Sequence, residues 1–114
     1  MTKQYDITDK IERLEIMEEK CGISLEALYC TVQQYDNDHE FLGQVNGEVH
    51  AVTGTKIGER IEIVITVHDK AGRVVWITTR SLDTEVFFMF EPFSTGAFFT
   101  SEIPSKIRIY PKKY

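Results

Sequence analysis

Cysteine, proline and glycine are all scarce in this chain, at two, three and seven of 114 residues. So few glycines and prolines exclude a collagenous or low-complexity chain. Cys21 and Cys30 have no C-x-x-C spacing, which excludes a paired-cysteine zinc or redox motif and predicts two inert thiols. No apolar run approaches the ~20 residues needed to cross a bilayer as a helix. The opening residues M-T-K-Q-Y-D-I-T-D-K lack the apolar stretch of a secretory signal, and the expectation is a cytoplasmic protein that does not engage a membrane.

A basic excess is also missing. The formal charge is −5; ten acids against four bases fall in residues 1–40, and eight against nine in residues 41–114. Duplex affinity rests largely on Lys and Arg neutralising phosphates, so no nucleic-acid partner is expected. The cluster Lys106, Arg108, Lys112 and Lys113 reads as a solubilising edge.

No signature of catalysis or cofactor binding is present, and we expect a non-enzyme with no catalytic, cofactor-binding or metal residues. Ser81, His68 and Asp83, or Cys30 and His50, supply the residue types of a nucleophilic site but lie in no recognisable nucleophile context. The acidic run Asp36-Asn37-Asp38-His39-Glu40 has Phe41 where a calcium loop needs glycine, so it reads as a polar turn. His50 and His68 are expected on outward faces, opposite each other if their strands pair, with no third ligand to make a zinc site.

What the chain does have is alternation. Ile61, Ile63, Ile65 and Val67 point one way while Glu62, Val64, Thr66 and His68 point the other, which predicts the central strand of the core. Asp69-Lys70-Ala71-Gly72 follows and fits a type I turn closed by a glycine at positive φ. Residues 73–80 then return antiparallel.

Similar alternation predicts strands over 28–33, 41–52 and 106–110; residues 85–90, apolar on both faces, read as a strand covered on both sides, and 97–100 as a short strand, about seven in all. Gly43 and Gly47 suggest a bulge or a close approach in the second of these. Before them, Ile11, Leu14, Met17 and Cys21 recur at helical spacing. Asp9 and Glu12 form a capping-box pair, and Gly22 is placed as the terminator.

We therefore expect a mainly β chain: an antiparallel β-sandwich of about seven strands over residues 26–114, preceded by a short N-terminal helix within residues 1–25. Phe87-Phe88 and Phe98-Phe99 should each send one ring to the core and one to the far side. Either the helix covers the outward rings or they form an apolar face for a partner or a second copy.

From about Phe41 to Tyr110 the features resemble the FxLYD-type immunoglobulin-like domains of bacteria and archaea. The resembling pieces are Gly47-Glu48-Val49, Ile61 to Val67, Asp69-Lys70-Ala71-Gly72-Arg73-Val74-Val75, Val86 to Phe90 and the closing Lys-Ile-Arg-Ile. Of the four residues that name the family, Phe, Leu, Tyr and Asp, this chain keeps Asp69 alone, reading Ile65-Thr66-Val67-His68-Asp69. The resemblance implies an immunoglobulin-like sandwich acting as a structural or interaction module. The expected function is thus a non-catalytic structural or protein-interaction module, working through an apolar face or an edge strand. Residues 105–110 are the expected edge, guarded by Lys106 and Arg108. A small-ligand or carbohydrate-binding sandwich using Trp76 and Tyr35 is the alternative.

Overall fold

The computed structural model describes residues 3–34, 40–52, 54, 57, 60–84 and 87–113. Among these described residues, nine strands and one short helix follow in the order β1 Lys3–Asp6, β2 Ile11–Arg13, α1 Glu15–Cys21, β3 Ile23–Gln34, β4 Phe41–Ala51, β5 Ile61–His68, β6 Val74–Leu82, β7 Phe90–Ser94, β8 Phe98–Thr100 and β9 Lys106–Lys113. A 3-10 turn over Thr8–Lys10 joins β1 to β2. The first sheet runs β1-β3-β4, with β7 and β8 both on the far side of β4; the second runs β2-β9-β5-β6.

The chain is a mainly β, two-sheet sandwich. Its interior is lined by Leu25, Cys30 and Val32 of β3, Val45 and Val49 of β4, Ile61, Ile63, Ile65 and Val67 of β5, and Ile107 and Ile109 of β9, all at most 1% exposed. Each such burial stabilises by roughly 1.5–3 kcal/mol before chain entropy is counted. The β5 alternation is thus the centre of the core, as its sequence requires.

Gly43 and Gly47 face the same interior and admit aromatic rings where a side chain would stand. A Cβ on Gly43 would overlap the Phe98 ring, and one on Gly47 would lie 2.9 Å from Cζ of Phe93. Phe98 is also stacked on Trp76, with centroids 5.0 Å apart. Since Phe98 belongs to the first sheet and Trp76 to the second, this stack ties the two layers together.

Three expectations are corrected. The helix begins at Glu15, not Asp9, and its N-cap Leu14 makes no side-chain capping bond. Residues 11–13 are instead a strand, pairing Ile11 with Ile107 and Arg13 with Ile109. This is the sandwich's parallel pairing; the other pairings among the described residues are antiparallel. Gly22 does end the helix in the left-handed region, at φ 72°.

Second, β3 starts at Ile23 rather than near Leu28, and a bulge between Glu26 and Tyr29 changes its phase. Third, of the strand expected over 85–90, residues 85 and 86 lie outside the described residues, and Phe87 and Phe88 precede a strand that begins at Phe90. Met89 at φ 64° breaks the extended run before Phe90, and Pro92 sits in an edge strand, where a missing ladder donor is tolerated.

The hairpin behaves as its sequence demands. The Asp69 carboxylate accepts the amides of Ala71 and Arg73, each at 2.9 Å, and the Arg73 guanidinium at 3.1 Å. Gly72 takes φ 82°. The Arg73 backbone amide, chiefly, holds the Asp69 carboxyl below the usual carboxylate range, with the Arg73 charge adding to it.

A depressed folded pKa gives stability that is complete above the unfolded value near ~3.9 and is lost as pH falls through the folded value. Denaturant midpoints taken from neutral pH into acid should therefore fall more steeply below about pH 4 for wild type than for Asp69→Asn. Parallel acid limbs would show that Asp69 makes no such contribution.

Candidate functional site

An edge strand exposes backbone N–H and C=O groups along its free side and is a template for pairing with another chain. Most edges of this sandwich are short or guarded. On one side, β1 has four residues including Lys3 and Asp6, and β2 has three, including Glu12 and Arg13. On the other, β7 carries Glu91 and Pro92, and β8 has three residues.

The exception is β6. It is nine residues long, contains no proline, and has Arg80 as its one charged residue. Among the described residues it pairs with β5 alone. Val75 and Ile77 point outward at 49% and 60% exposure, and Val74 at the hairpin end is 54% exposed.

Even Arg80 does not guard this edge. Its Nε donates to the Ser94 carbonyl of β7 at 2.7 Å, which draws the guanidinium across to the first sheet. The one irregularity in the β5–β6 ladder lies at its hairpin end, between Val67 and His68. From Trp76 to Leu82 the ladder is regular.

Residues 105–110 are not the edge expected for them, because β9 lies between β2 and β5. Lys106 and Arg108 instead bind Glu12 of β2, at 3.5 and 2.7 Å. The Arg108 hydrogen bond is the main reason that the Glu12 carboxyl titrates below its ordinary range. The short parallel strand β2 thus occupies the position that would have left β9 open.

No protein family, curated protein or solved structure matches this chain. The site is therefore read from its residues alone.

Phe87 and Phe98 are each 1% exposed while Phe88 and Phe99 are each 62% exposed, the in-and-out split expected of both pairs. The helix does not cover the outward rings, since α1 packs against β9 and β3. Phe90, 51% exposed, lies over the His50 ring with centroids 5.2 Å apart. Phe99 pairs with Leu42 and Phe90 with His50. Eight residues of β4 separate those partners, about 27 Å at strand rise. The outward aromatics are therefore two separate spots, not one face.

Candidate catalytic groups do not converge. Ser81 lies opposite Glu62 and His68 opposite Val74, some 20 Å apart along β5. His68 is not on an exposed face: it is 7% exposed, with Nδ1 3.2 Å from the Gly72 carbonyl and Nε2 2.9 Å from the Thr66 hydroxyl. A carbonyl only accepts, so Nδ1 donates to Gly72.

His50 belongs to the other sheet, so the two histidines do not face each other; its Nε2 lies 3.0 Å from Glu48. Cys30 faces the interior, and burial, with the Asp6 carboxylate adding to it, pushes its thiol up to about 12. At neutral pH it is protonated and a poor nucleophile. Tyr35 and the run 36–39 lie outside the described residues; Trp76 is half-buried against Phe98.

Sequence reasoning missed β6 as the open edge. The signal was present in V-V-W-I-T-T-R-S-L, a β-branched run with one charge and no proline.

Proposed function

We propose that this chain is a non-catalytic structural or protein-interaction module that binds an extended segment along β6. One observation carries the reading: a nine-residue edge strand, paired on one side among the described residues, with Val75 and Ile77 exposed and its single charge turned away. An added strand would gain backbone hydrogen bonds from the free side of β6. Specificity would come from side chains alternating over Val75, Ile77 and Thr79.

A random peptide library selected on the wild-type chain tests this. Selected peptides should be extended and rich in β-branched residues, and should lose about tenfold or more in affinity on Ile77→Lys, roughly 1.4 kcal/mol. That substitution leaves the core intact because Ile77 is 60% exposed. Peptides that bind Ile77→Lys as well as wild type would contradict the β6 reading.

A further inference from the structure

We draw no further inference here: the strongest candidate, the exposed apolar patch of Phe88, Met89 and Phe90 leading into β7, carries nothing, because nothing in the structure shows what covers it.

Discussion

Replacing Phe98 with alanine is expected to cost about 3–5 kcal/mol of folding free energy, the range for emptying a buried aromatic site. Phe98 is 1% exposed and lies between the bare backbone of Gly43 and the Trp76 ring. Its loss removes the contact through which the sheets meet at this end, and Trp76 emission should shift with it. Gly43→Ala alone should cost about 1–3 kcal/mol, because its methyl overlaps the ring and a packed core resists extra volume.

The two changes should not add. With the ring gone, the methyl introduced at position 43 enters the space it left, so Gly43→Ala should cost little or nothing in the Phe98→Ala background. A double-mutant cycle by denaturant unfolding would then show a coupling of about 0.5–3 kcal/mol. Additive costs would mean that the glycine is retained for some reason other than this ring.

The second large effect is expected at Glu18. This carboxylate, 3% exposed on a seven-residue helix, receives a bidentate guanidinium from Arg13 at 2.5 and 3.0 Å. It also accepts the buried Leu25 amide at 2.9 Å. One side chain thus joins β2, α1 and β3. Glu18→Ala frees Arg13, already 35% exposed, to reach water, but it leaves the Leu25 amide buried without its acceptor.

An orphaned buried donor costs about 1–3 kcal/mol, and a charge-assisted bond is lost besides, so the expected total is about 2–4 kcal/mol. Glu18→Gln keeps an acceptor for Leu25 and should cost less than Glu18→Ala. Unfolding midpoints of the two variants measure the difference; equal losses would show that the ion pair, and not the amide bond, is what matters.

The sequence displayed clearly those parts of the fold where one periodicity runs uninterrupted. Ile61 to Val67 alternates without a break, and the Asp69 turn carries its own chemistry, so strand, hairpin and core follow directly from the residues. Phase changes were hidden. Ile23 and Leu25 are inward at odd positions, and Cys30 and Val32 at even ones, because the bulge at Glu26–Tyr29 inserts one residue and Ala27 takes φ 53°. An uninterrupted period of two therefore finds only the later half of β3.

The N-terminal segment misled for a different reason. Apolar residues at Ile11, Leu14, Met17 and Cys21 satisfy a helical stripe, yet Ile11 and Arg13 are drawn into a ladder with β9 that local spacing does not encode. That same long-range pairing moved the open edge. Edge and interior strands differ by their neighbours in space, so Lys106 and Arg108 read as guards until Glu12 is seen beside them. The β6 edge was legible as composition but not as position.

Residue-resolved hydrogen exchange along β6 tests the central claim most directly. In an antiparallel ladder successive residues direct their backbone groups alternately toward the neighbouring strand and away from it. At low concentration, the amides of Trp76 to Leu82 that face β5 should be protected and the alternate ones should exchange at nearly open-chain rates. Adding a peptide selected on β6 should slow those alternate amides as a second strand pairs with them. Uniform protection of β6 at dilution would mean that the edge is already covered, and uniformly fast exchange that β6 is not held in the sheet; either result would contradict this account.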